Sequence, residues 1–283
     1  MTFARRRVAT SALEFEVLEA GSGPLALCLH GFPDTAFSWR LLLPALADAG
    51  FHAVAPFMRG YAPTEVPADA RYGQDALVDD ALALHEALDA DGEAVLIGHD
   101  WGAATTYRAG AAAPERWRRL VALAIPPPAK DGLVFGNYAQ LKRFFYMFLF
   151  QATFAEELAA ADEMAFLAWL WREWSPGYDP GEDLAWVRES LGARENLSAA
   201  LGYYRALFAA LQSGGLGDFG PAECPTLYVH GAQDGCIAID LVRDALRHLP
   251  PGSEMVVDED AGHFLHLENP DAVARLIVKF VTE

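Results

Sequence analysis

Apolar and polar positions follow two regimes along this chain. Residues 3–9 and 13–18 read as two strands joined by a short polar turn at Thr10-Ser11. Residues 25–29, Leu-Ala-Leu-Cys-Leu, are continuously apolar, as expected for a strand buried on both faces of a mostly parallel sheet. The period then alternates. A helix is predicted over 37–49, a strand over 51–55 ended by Pro56, and a helix over 74–88. A strand over 93–97, a helix over 103–113 stopped by Pro114 and a strand over 120–125 follow. Such alternation predicts an α/β fold, with a mostly parallel central sheet flanked by helices.

The regime changes after Ile125. No convincing strand pattern runs from Pro126 to about Gly220, and the segment is rich in aromatics and helix formers, among them Phe144, Phe145, Tyr146, Phe148, Phe150, Phe166, Trp169, Trp171, Trp174, Tyr203 and Tyr204. Alternation resumes with a strand over 226–230, a helix over 239–249, a strand over 254–257 and a last helix over 271–280. The expected organisation is a core of residues 1–125 and 221–283, with residues 126–220 inserted as a helical cap over the sheet. Pro126-Pro127-Pro128 and Gly214-Gly215-Leu216-Gly217 read as its hinges.

Composition removes several function classes. With 283 residues, 53% hydrophobic and 21% charged, the chain suits a globular protein with a large core. A net charge of −18 argues against nucleic acid and anionic membrane surfaces as partners. Cys28, Cys224 and Cys236 show no metal-ligand or CxxC spacing, and nothing else in the chain asks for a metal or a cofactor. An odd, unpatterned set of cysteines fits a reducing compartment, so a cytoplasmic location is expected. Arg5-Arg6-Arg7 is followed by Glu14 and Glu16 rather than by an apolar run, so no signal peptide is read. The longest apolar stretch, 144–150, is far too short to span a bilayer. A monomer or homodimer acting on a small molecule is expected.

The candidate chemistry starts at Gly98-His99-Asp100-Trp101-Gly102, between a strand and a helix. That is the G-x-nucleophile-x-G elbow, with aspartate in place of the usual serine. A carboxylate attacks an electrophilic sp3 carbon and forms an alkyl ester on the enzyme, which points to epoxides or alkyl halides rather than esters. The second station is His30-Gly31-Phe32-Pro33, directly after the 25–29 strand. The backbone N–H groups of Phe32 and Trp101 are placed to form an oxyanion hole for the ester carbonyl of Asp100. Asp234 follows the 226–230 strand, and His263 follows the 254–257 strand. The order nucleophile, acid, histidine completes a triad, each member just past the C-terminal end of a strand.

With HGFP, GHDWG and DAGHF in hand, the chain resembles the α/β-hydrolase-fold epoxide hydrolases over essentially its whole length. The resemblance implies two cap tyrosines that bind and protonate the epoxide oxygen. Tyr146, five residues before Gln151, matches one family pattern. Tyr204, in Gly202-Tyr203-Tyr204-Arg205, matches the other, although Gly202 stands where the family usually has Asn and Tyr203 is an adjacent alternative. Ala62 in Arg59-Gly60-Tyr61-Ala62 also replaces a usual glycine. The expected reaction opens a small or medium apolar epoxide on Asp100, with Phe32, Trp101, Tyr146 and Tyr204 lining the substrate site. His263, oriented by Asp234, then activates the water that releases a vicinal diol.

Two rival readings share the frame. The haloalkane dehalogenases also follow their aspartate with Trp, but they typically place a halide donor such as Asn where this chain has Phe32. Fluoroacetate dehalogenases typically have Arg where this chain has Trp101. A non-catalytic small-ligand-binding homologue is the third reading, and the full set of catalytic positions argues against it.

Overall fold

The structure is a computed structural model describing residues 3–128, 137–214 and 222–283. Pro126-Pro127-Pro128, the expected first hinge, lies within it; Gly215, Leu216 and Gly217 of the second lie outside the described residues.

Eight strands form one sheet in the order β1-β2-β4-β3-β5-β6-β7-β8. They are β1 (Ala4–Ala9), β2 (Glu14–Ala20), β3 (Leu25–Leu29), β4 (His52–Pro56), β5 (Val95–His99), β6 (Arg119–Leu123), β7 (Thr226–Gly231) and β8 (Glu254–Asp258). β1 and β2 pair antiparallel, as do β2 and β4; the remaining neighbours are parallel. Every residue of β3, β5 and β7 is buried, as their unbroken apolar runs require. β1 is mostly exposed, and its Arg5, Arg6 and Arg7 pair with Glu16, Glu19 and Glu14 of β2. The arginine run thus covers both faces of a solvated hairpin strand, with Arg5 and Arg7 on one and Arg6 on the other.

Helices α1 (Leu42–Asp48), α2 (Gln74–Ala87) and α3 (Trp101–Ala112) connect the first parallel strands. Between β6 and β7 lie α4 (Tyr138–Arg143), α5 (Phe145–Leu149), α6 (Ala155–Trp174), α7 (Gly181–Leu191) and α8 (Arg194–Gln212). No strand falls between β6 and β7 among the described residues, as the sequence pattern predicts. The chain ends with α9 (Leu265–Glu268) and α10 (Pro270–Thr282). None of the helices among the described residues is long and apolar enough to cross a membrane.

Four expectations shift. The helix expected over 37–49 opens as a 3-10 helix, Ala36–Leu41, and is α-helical only in α1. β5 begins at Val95 because residues before it are used in a turn, where Glu93 and Ala94 N–H groups donate to Asp91. β6 ends at Leu123 because Ala124 adopts φ 68, which breaks the ladder. The helix expected over 239–249 is replaced by two short 3-10 turns, Ile239–Leu241 and Ala245–His248. Val242 and Ala245 bury there, Ile239, Leu241 and Leu249 pack against the core, Leu246 is 46% exposed, and Pro250 closes the segment. A stretch this short holds an α-helix only through packing.

Candidate active site

Backbone clearance builds the elbow. Asp100 joins β5 to α3 at φ 51, ψ −117, a conformation a residue with a side chain holds only when its surroundings impose it. A Cβ at Gly98 would stand 2.2 Å from the Gly102 carbonyl oxygen, and one at Gly102 2.0 Å from that of Leu29. Both glycines are therefore required by close approach of strand, turn and helix.

The elbow delivers the Asp100 carboxylate to the Phe32 loop. Asp100 Oδ1 accepts a hydrogen bond from Phe32 N–H at 2.8 Å. That loop is braced from two sides. His30 Nε2 accepts from Met58 N–H at 3.0 Å, and Trp171 Nε1–H donates to the Pro33 carbonyl at 2.8 Å. Trp101 is the first residue of α3, so its N–H has no acceptor within the helix.

Asp234 and His263 arrive from the ends of β7 and β8. His263 Nδ1–H donates to Asp234 Oδ2 at 2.9 Å, and Nε2 lies 3.7 Å from Asp100 Oδ2. Asp234 Oδ1 accepts from Cys236 N–H at 2.6 Å and Ile237 N–H at 2.8 Å. The Trp174 carbonyl at the end of α6 accepts from His263 N–H at 2.9 Å and Gly235 N–H at 3.1 Å, tying the helical segment to both loops. All three side chains are buried. Burial opposes every charge here, but mutual attraction wins. Desolvation is overcome by His263, which holds Asp100 and Asp234 below their ordinary range. Desolvation of His263 is likewise overcome by Asp234 and Asp100, which push it up to about 10.

Tyr146 on α5 and Tyr204 on α8 meet edge to face, 5.6 Å between ring centroids. The Tyr204 ring packs on Phe32 at 5.2 Å and Trp101 at 5.1 Å, which sets it beside the elbow. Tyr146 Oη lies 3.5 Å from Cys236 Sγ. Tyr204 Oη is buried; the Trp101 indole N–H acts on it, but it makes no hydrogen bond of ordinary geometry among the described residues. Burial drives both phenols well above their ordinary range, with Asp100 adding to the effect. Tyr203 is committed elsewhere, since its hydroxyl donates to the Arg59 carbonyl at 2.8 Å. Gly202 leaves room for the Tyr72 ring, which a Cβ would meet at 2.6 Å. Arg205 pairs with Glu156 at 2.6 Å and donates to the Phe150 carbonyl at 3.0 Å, fixing α8 where it carries Tyr204.

The family model described as the alpha/beta hydrolase fold matches residues 24–270. This chain belongs to the α/β-hydrolase family. It is 29% identical to an epoxide hydrolase of Caballeronia sordidicola, over 97% of this chain and 92% of that one. It is 31% identical to an AB hydrolase superfamily protein of Bacillus subtilis, over 97% of this chain and 96% of that one. A crystal structure of an epoxide hydrolase from Vigna radiata superposes with a TM-score of 0.84 at 26% identity, covering 99% of this chain and 98% of that one.

Within this α/β-hydrolase, a surface groove of about 1240 Å³ is lined by residues such as Arg59, Glu65, Asp69 and Glu195 and includes none of the predicted site residues. A cavity of about 590 Å³ reaches Asp234 from outside, between Arg143, Trp169, Trp174 and Gly235. The residues sequence reasoning missed lie around the triad. Asp34, His99 and His266 bring ligand-type atoms within 4.8 Å of one another, as do Asp234, Cys236 and His263. His99 Nε2–H donates to the His263 carbonyl at 3.0 Å, so the elbow histidine supports the triad loop. Asp34 and His99 stood next to quoted motif residues, but only the fold brings their separate segments to His266.

Proposed function

We propose that this α/β-hydrolase is an epoxide hydrolase acting through an ester on Asp100. The observation that carries the reading is a carboxylate at the elbow, with Oδ1 held by Phe32 N–H and Oδ2 facing His263 Nε2. A carboxylate there suits attack on a strained sp3 carbon. Relatives named epoxide hydrolases in bacteria and plants support the substrate class. The substrate is a small or medium apolar epoxide, in keeping with a site walled by Phe32, Phe150, Trp101 and the tyrosine rings. Residues 1–125 and 221–283 serve as the core domain and 126–220 as the cap that supplies the tyrosines. Buried, unpaired Cys28, Cys224 and Cys236 fit a reducing, cytoplasmic setting. A monomer or homodimer suffices, because every proposed site residue lies on this one chain.

The reaction runs in two halves. Asp100 attacks an epoxide carbon and the C–O bond breaks, its electron pair staying on oxygen. Tyr204 and Tyr146 bind that oxygen, and one of them passes it a proton as the alkoxide forms. The raised phenol pKa keeps these protons in place until so strong a base appears. Esterification cancels the Asp100 charge, one of the two holding a proton on His263. His263 then returns that proton to the tyrosinate and becomes a base. Water adds to the ester carbonyl, its proton goes to His263, and the Phe32 and Trp101 N–H groups steady the oxyanion. Collapse leaves an alkoxide and a protonated Asp100, which gives up its proton to release the diol. The enzyme returns to its starting protonation state, with one water consumed.

Intact-mass spectrometry of a His263→Gln variant with styrene oxide tests this. A gain of one whole epoxide, mapped to Asp100 and absent in Asp100→Asn, is expected. A gain of an alkyl group without its halogen, seen only with haloalkanes, overturns it in favour of dehalogenation. Absence of any adduct across aryl and alkyl epoxides also overturns it.

A further inference from the structure

We infer that Cys236 is a positioning residue for the reaction, holding the Tyr146 hydroxyl by a weak thiol contact that leaves the phenol proton free to turn to the epoxide. The inference rests on the reading of Tyr146 as an acid in epoxide opening. Cys236 is a joint between the two halves of the site. Its N–H donates to Asp234 Oδ1 at 2.6 Å, within the triad. Its carbonyl accepts from Gln140 Nε2 at 2.6 Å, on the helix just before the one that carries Tyr146. Gln140 Oε1 in turn accepts from Ala238 N–H at 3.0 Å, so the loop is clamped on both sides of Cys236. With its backbone so fixed, Sγ stands 3.5 Å from Tyr146 Oη.

Chemistry sets how that contact is used. The thiol stays protonated, because burial first and the charges of Asp234 and Asp100 next push it well above its ordinary range. Two X–H groups face each other, and one of them donates. Sulfur is a weak acceptor, so an epoxide oxygen competes easily for the tyrosine proton. When that proton turns to the epoxide, the S–H donates to Tyr146 Oη and steadies the phenolate as its proton leaves. Tyr204 meets no thiol, and the group acting on its hydroxyl is the Trp101 indole N–H, so the two acids are held unequally.

The test is a double-mutant cycle on ester formation from styrene oxide, in the His263→Gln background, followed by quenched-flow mass spectrometry. Cys236→Ala is expected to slow ester formation about threefold to tenfold, as for loss of a weak hydrogen bond. Cys236→Ser, which keeps a donor, is expected to restore most of the rate. In the Tyr146→Phe background, Cys236→Ala is expected to add almost nothing, whereas in Tyr204→Phe its effect persists. Equal slowing by Cys236→Ala with and without Tyr146 overturns the inference and leaves Cys236 a packing residue. Failure of the His263→Gln parent to form any ester overturns the epoxide reading instead. Should Cys236 variants not fold, infrared difference spectra of wild type against Tyr146→Phe decide. A shifted S–H stretching band supports the contact, and an unchanged band overturns it.

Discussion

On the strand side of the site, Asp234 has both carboxylate oxygens occupied, by two backbone N–H groups and by His263. On the helical side, Tyr204 Oη makes no hydrogen bond of ordinary geometry among the described residues and Tyr146 Oη has one contact, to sulfur. The strand side carries charge throughout the cycle, and buried charge must be compensated at all times. The helical side gives and regains protons, which demands hydroxyls not yet committed to strong acceptors. One half of the site is therefore preorganised electrostatically, and the other is positioned mainly by ring packing. Edge-to-face contacts among Phe32, Phe150, Tyr146 and Tyr204 hold the phenols in place without using their hydroxyls.

The sharpest way to break this comparison is to remove compensation on the strand side. Asp234→Ala leaves His263 without its Nδ1 acceptor, so its orientation is lost and its pKa falls to what Asp100 alone sustains. Ester hydrolysis is expected to fall about 10³- to 10⁴-fold, the scale seen when a triad acid is lost elsewhere. Ester formation on Asp100 needs neither group as a base, because the carboxylate is already ionised. A quenched-flow time course should therefore show an ester burst followed by near-arrest. Equal slowing of both halves would show that Asp234 shapes the whole site instead of serving His263.

The same contrast explains what was legible in the sequence. Asp100, Asp234 and His263 sit just past strand ends, and strands announce themselves by unbroken apolar runs such as 25–29 and 226–230. Chain order then sorted their roles. Tyr203 and Tyr204 are neighbours on one buried helix face, so periodicity alone gives both the same character. What separates them is the Arg59 carbonyl, which takes one hydroxyl and comes from a distant part of the chain. Cys236 looked like an unpatterned cysteine because its partners, Gln140 and Tyr146, lie some ninety residues away. The missing 239–249 helix shows a different limit: its apolar residues do reach the core, but from two 3-10 turns instead of one helical face.

A smaller effect sharpens the comparison on the helical side. Tyr204→Phe removes an uncommitted hydroxyl and keeps the ring contacts. It should slow ester formation about 10²-fold, the ordinary range for one acid, with the melting temperature nearly unchanged. Tyr203→Phe should do the reverse. It removes the bond to Arg59, costing about 1 kcal/mol of stability, and leaves the rate of ester formation within about threefold. Urea unfolding alongside single-turnover rates reads both. Were Tyr203→Phe to suppress ester formation instead, the second acid would be reassigned to Tyr203.

The smallest effect is read in stability against pH. His263 is held at about 10 in the folded protein, against 6.5 for an ordinary histidine. Raised above its unfolded value, it contributes stability that is fully present below about pH 6.5 and is lost as pH climbs toward about 10. Asp100 and Asp234 act with the opposite sign: held below 3.8, they contribute stability above that pH and lose it as acid protonates them. Between these limits the two carboxylates and the imidazolium support one another. The tyrosines add little until the pH nears the ordinary phenol value of 10, because their folded phenols are raised above it. The melting temperature of the wild type should therefore fall faster between pH 7 and about 10 than that of His263→Gln, which has no proton to lose there. Tyr204→Phe should run parallel to the wild type over the same range. Parallel curves for wild type and His263→Gln would mean that His263 is neutral in the resting enzyme. It would then be a base before the ester forms, and the release of its proton on esterification would drop out of the cycle.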